Sequence, residues 1–139
     1  MSSDKFALPT VADALEQRLA AAINVPYPFP IRDIDNGAKS NRTHAELTYE
    51  QTDVSAFFEG QRLADGWVAV NFELGLSAPE MDPEKGNETL FTLLPLLINA
   101  LDDMDDIQWS TASKGRDSSG TFYKIPITLF ATTKETDNG

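Results

Sequence analysis

Apolar residues recur every four positions from Val11 through Leu15 and Leu19 to Ile23, while Asp13, Glu16, Gln17 and Arg18 turn the other way. That spacing predicts an amphipathic helix packed along one stripe. Thr10 stands at the N-cap, and Asp13 three residues on completes a capping-box-like pair. Three prolines alternate with apolar residues in Val25-Pro26-Tyr27-Pro28-Phe29-Pro30-Ile31. They exclude a helix and favour an extended path that buries Tyr27 or Phe29. Residues 32–42 read as a polar loop around Asn36-Gly37. From Thr43 the period becomes two, with Ala45, Leu47 and Tyr49 opposite His44, Glu46, Thr48 and Glu50, the pattern of a half-buried strand.

The stretch from Val54 to Gly66 has no clear period. Phe57 and Phe58 are adjacent there, so in an extended chain one of them faces away from the core. From Trp67 to Leu76 the alternation is strict, with Val68, Val70, Phe72, Leu74 and Leu76 on one face. Asp82 and Pro83 then supply an N-cap and a first helical residue. Leu90, Leu93, Leu94, Leu97, Ile98 and Leu101 form the broad apolar face of a helix over about 83–101, with Pro95 predicted to bend it near Phe91. Two further strands, about 107–113 and 121–132, flank a glycine-bounded loop at 114–120. Pro126 in the last strand points to an edge position or a bulge.

These elements predict one α+β domain over residues 1–139, in α-β-β-α-β-β order. A mainly antiparallel sheet of about four strands packs against two helices, and residues 1–5 and 134–139 are expected to be loose. The chain has no long apolar run and no signal-like leader, which predicts a soluble protein made in a cytoplasm without a membrane partner. It has no cysteine, so disulfides and cysteine-based metal sites are excluded.

The net charge of -11 is concentrated in the middle: residues 46–106 hold 14 Asp or Glu against Arg62 and Lys85 alone. Such a field repels a phosphate backbone, which argues against nucleic-acid binding through a basic face. It suits either simple solubility or a surface past which nucleic acid slides.

No set of residues reads as catalytic. The single histidine, His44, lies on the polar face of its strand and lacks the companions of a triad or zinc site. Asp102, Asp103, Asp105 and Asp106 cluster at a helix C-terminus, where carboxylates are unfavourable. They lack the spacing of a calcium loop and read as a solvated acidic corner or a channel wall. Ser113 to Arg116 lacks the glycine spacing of a phosphate loop. An enzyme would require a pocket that the sequence does not advertise, so neither cofactor nor metal is expected. What remains are contact features. Phe57, Phe58 and Trp67 suit either a subunit interface or a small second core. Lys114 and Arg116 suit a solvated turn, an acidic neighbour or a phosphate.

The first helix, the Val-Pro-Tyr-Pro-Phe-Pro segment at 25–30, the strand pair, the helix from about 83 and the closing Tyr-Lys-Ile-Pro-Ile-Thr-Leu-Phe-Ala hairpin together resemble the tail terminator proteins of long-tailed bacteriophages. The likeness spans roughly residues 6–133 and rests on element order and size. It implies a non-enzymatic virion protein of the tail neck, assembled in the host cytoplasm. Such a protein forms a hexameric ring that caps the tail tube and joins it to the head connector, while DNA passes through the lumen. In such a ring Tyr27, Phe29, Phe57, Phe58 and Trp67 are expected between subunits or at partners. Asp102, Asp103, Asp105, Asp106, Lys114 and Arg116 are expected at the lumen or facing DNA. A stopper or connector of the same neck, and a small acidic dimeric secretion chaperone, are the alternatives.

Overall fold

A computed structural model describes residues 6–23, 31–33, 45–117 and 120–133, of which 31–33 are described by their backbone alone. The chain runs β1 (Phe6–Ala7), a 3-10 turn (Leu8–Thr10), α1 (Val11–Ala22), β2 (Ile31–Asp33), β3 (Glu46–Ser55), β4 (Phe57–Phe58), β5 (Gln61–Arg62) and β6 (Trp67–Ser77). It continues through α2 (Pro83–Asp102), β7 (Ile107–Trp109), β8 (Ser113–Asp117) and β9 (Gly120–Thr132).

The predicted stripe of α1 is buried, whereas α2 buries Leu90, Leu97 and Leu101 of its predicted face and leaves Leu93, Leu94 and Ile98 half-buried. Val11, Leu15, Leu19 and Ile23 from α1 and Leu90, Leu97, Ala100 and Leu101 from α2 pack against Leu47 and Tyr49, the even residues of β6 and the odd residues Ile125 to Ala131 of β9. Both helices therefore cover one face of the sheet. Thr10 occupies the N-cap of α1 but its side chain accepts no hydrogen bond, because the 3-10 turn ahead of it already leads the chain into the helix. Asp82 does cap α2, accepting from the Glu84 amide at 3.3 Å, with Pro83 at the first position. The helix is continuous through Pro95.

The sheet departs from the expected four strands and simple order. It has seven strands in the path β1-β9-β6-β3-β2, with β7 and β8 also on β9, and a separate two-stranded ribbon is made by β4 and β5. β1 on β9 and β2 on β3 run parallel, and the remaining pairs are antiparallel. The 13-residue β9 pairs with β6 along one edge, while β1, β7 and β8 share its other edge end to end.

Pro126 sits where that second edge is interrupted. The Thr121 carbonyl accepts from Ala78 on the β6 side, and the β6–β9 register is unbroken, so odd residues of β9 bond toward β6 and even ones away. β7 ends opposite Ile127 and β8 begins opposite Lys124. The missing proline donor therefore faces a gap, and β9 tolerates it without being an edge strand.

Residues 114–117 are not loop but strand. β8 pairs in register with residues 120–124 of β9. No helix among the described residues covers the second sheet face. It carries Trp67, Asn71 and Glu73 from β6 and Phe122, Lys124, Thr128 and Phe130 from β9. Among the described residues, no helix is long and apolar enough to cross a membrane.

Candidate assembly surfaces

The acidic residues at 102–106 divide by what they touch. Asp106 accepts two hydrogen bonds from the Arg18 guanidinium, at 2.7 and 2.9 Å, tying the α2–β7 turn to α1. The same guanidinium lies 4.8 Å from the centroid of the Phe6 ring, which is buried. Arg18 thus joins β1, α1 and the end of α2. Its hydrogen bonds hold the Asp106 carboxyl below the usual carboxylate range against the opposing effect of burial, and its charge adds to the lowering. Asp102 accepts from the Trp109 indole at 2.9 Å. Asp103 and Asp105 are exposed. Among the described residues, no group of three or more His, Asp or Glu is placed to hold a metal ion. Two carboxylates that sequence position alone suggests for a channel wall are thus engaged within the chain.

The aromatic residues divide in the same way. Phe58 packs edge-on against Phe130, ring centroids 5.1 Å apart, which folds the β4–β5 ribbon onto the open sheet face and makes a small second core there. Trp67 is half-buried at the start of β6. Phe57 alternates away and is 52% exposed, with Arg62 5.9 Å from its ring centroid. The ribbon turns through Glu59 and Gly60, both at positive φ (52° and 78°), which sets Glu59 at its tip. Tyr27 and Phe29 lie outside the described residues.

Lys114 and Arg116 are exposed residues of β8. In register, Lys114 lies opposite Tyr123 and Arg116 opposite Thr121, odd residues of β9, so both belong to the helix-covered side. Lys114 reaches Phe91 of α2, its ammonium 5.9 Å from the ring centroid. Phe91, at 60% exposure, is the most exposed large apolar side chain among the described residues. The sequence carried a signal for it: Phe91 is about 100° around the helix from the buried Leu90 and off the Leu90-Leu97-Leu101 stripe.

Among the described residues, four large apolar side chains are exposed. Met81 lies just before α2, Phe91 within it beside Lys114 of β8, Val54 near the end of β3 and Phe57 in the ribbon.

No family model matches the chain, and no curated protein matches it either. Among solved structures it is similar to the sheath/tube terminator of an extracellular contractile injection system, PVC, in the extended state, with a TM-score of 0.53 at 11% identity. The alignment covers 99% of this chain and 60% of that one, so the chain spans about three fifths of that terminator's length. At this identity the likeness is one of fold.

Proposed function

We propose that this chain is a tail-terminator-type structural protein. It closes the end of a tail tube as a homo-oligomeric ring of about six copies, joins the tube to a head-side connector, and leaves a lumen through which DNA passes without specific binding. Its place is the neck of the virion, reached by assembly in the host cytoplasm. The observation that carries this reading is the whole-chain fold likeness to a sheath/tube terminator, with 99% of the chain aligned. The mechanism it implies is one of surfaces, not of bond chemistry. A helix-backed sheet supplies a stiff body, and exposed apolar side chains such as Phe91 and Phe57 supply contacts to neighbours. The acidic excess of residues 46–106 then favours passage of a polyanion over its capture.

The test is mass and shape in solution, by light scattering on a sizing column followed by negative-stain imaging. Rings of about six chains, formed freely or on tube ends, are expected. A compact dimer indifferent to tubes would overturn the proposal in favour of a chaperone.

A further inference from the structure

β8 leaves one side open. It pairs with β9, and among the described residues no strand pairs with its other edge. Even residues of β9 bond toward β8, so Ser113, Gly115 and Asp117 turn their backbone groups to β9, while Lys114 and Arg116 present theirs on the free edge. Both side chains are exposed, and neither forms an ion pair among the described residues. Glu84 and Glu88 are exposed on α2, but no ion pair joins either of them to these bases.

Such an edge accepts a further strand, and its side chains select which one. Residues of an added strand stand directly opposite those of β8, with their side chains on the same face. Two bases at alternate positions therefore match carboxylates at alternate positions. The chain has that pattern directly after β9, in Lys134-Glu135-Thr136-Asp137-Asn138, which lies outside the described residues. Laid antiparallel to β8, one register sets Glu135 opposite Arg116, Asp137 opposite Lys114, Lys134 opposite Asp117 and Thr136 opposite Gly115. A slip of one residue would carry both acids to the face away from the bases.

One copy cannot make this pairing with itself. The Thr133 amide donates to the Gly66 carbonyl, which fixes where the chain leaves β9. Arg116 and Lys114 lie opposite Thr121 and Tyr123, earlier on β9 by a distance of roughly 40 and 33 Å at about 3.3 Å per residue. Glu135 and Asp137 reach only roughly 7 and 14 Å beyond Thr133.

We infer that residues 134–138 of one copy add as an antiparallel strand to β8 of the next. The donated segment and the receiving edge are different surfaces, so association does not stop at two; it closes into a ring or runs on as a filament. This specifies the subunit joint of the proposed ring and so rests on that reading.

The chain has no cysteine, so an introduced pair reads the contact directly. Arg116→Cys with Glu135→Cys in one chain is oxidised in dilute solution, beside Thr92→Cys with Glu135→Cys as control, and followed on non-reducing gels. The first pair is expected to give covalent trimers and larger species about tenfold faster than the control. Links within one chain, or equal rates, would overturn the joint. Light scattering then compares wild type with Glu135→Lys plus Asp137→Lys, with Lys114→Glu plus Arg116→Glu, and with all four changes together, after circular dichroism verifies the fold. Each double reversal is expected to weaken association about tenfold or more, and the fourfold variant to recover it, because opposite signs face each other again.

Wild-type multiples unaffected by either reversal would overturn this joint and leave the terminator reading standing. A strict dimer would overturn the joint and the ring together. A wild type that stays a single chain, with cross-linking no faster than the control, would overturn the joint, and the terminator reading would then be decided by binding to tube ends.

Discussion

Replacing Asp106 with Asn keeps the shape of the side chain and removes its charge where Arg18 ties β1 and α1 to the end of α2. The carboxylate accepts two hydrogen bonds from Arg18, but the side chains of the pair keep 30% and 40% of their exposure, so solvent screens the attraction. Screened pairs contribute about 0.2–1 kcal/mol, and bidentate geometry places this one near the upper end, about 1 kcal/mol. Arg18→Met also removes the guanidinium from over Phe6, which adds about 0.5–1 kcal/mol. For a chain of this length the Asn variant is expected to melt roughly 3–5 °C lower at pH 7. A double-mutant cycle with Arg18→Met should return a coupling near 1 kcal/mol.

The pH dependence has a fixed sign. The folded Asp106 pKa lies below its unfolded value, so the contribution is fully present above about pH 4 and is lost as pH falls through the folded value. Urea unfolding of wild type and Asp106→Asn from pH 7 down to about pH 2 measures this. The two midpoints should converge at the acid end. A gap that persists undiminished there, or a coupling below about 0.2 kcal/mol at pH 7, would refute the clamp.

Other perturbations separate the fold from its surfaces. Thr121 is 2% exposed and its hydroxyl has no hydrogen-bond partner among the described residues, so Thr121→Val should raise the urea midpoint by an amount equivalent to about 1 kcal/mol. Gly115 lies beneath the Phe122 ring, where an added Cβ would come within 2.5 Å of a ring carbon; Gly115→Ala should cost about 1–3 kcal/mol by the same assay as the ring is displaced. Leu129→Ala, at a fully buried position between the helices and the sheet, should cost about 2–5 kcal/mol in chemical unfolding. Phe91→Ser should change stability by no more than about 0.5 kcal/mol, because the ring is 60% exposed.

Long periodic segments were legible in the chain and short or aperiodic ones were not. Val11, Leu15, Leu19 and Ile23, and the alternation from Trp67 to Leu76, each commit several residues to one face, and both were buried as their spacing requires. β1 and β2 are two and three residues long and pair in parallel with distant strands, so nothing local marks them. β8 reads Ser-Lys-Gly-Arg-Asp with no residue fully buried, so no alternation distinguishes it from a turn; β9 supplies the pairing. Composition flagged the acidic run at 102–106, but the engagement of Asp106 depends on Arg18, 88 residues away in sequence. The adjacent pair Phe57-Phe58 did announce one inward and one outward ring, and the position of Phe91 off the leucine stripe of its helix marked it as exposed.

The account stands or falls on what the protein does at the end of a tube. Purified protein would be mixed with tubes assembled from the tube protein of the same source, and the tube ends imaged by cryo-electron microscopy. The account predicts a cap of about six copies at the tube end with an open central hole, and tubes that no longer lengthen once capped. Bare ends at saturating protein, or binding spread along the tube wall, would contradict it.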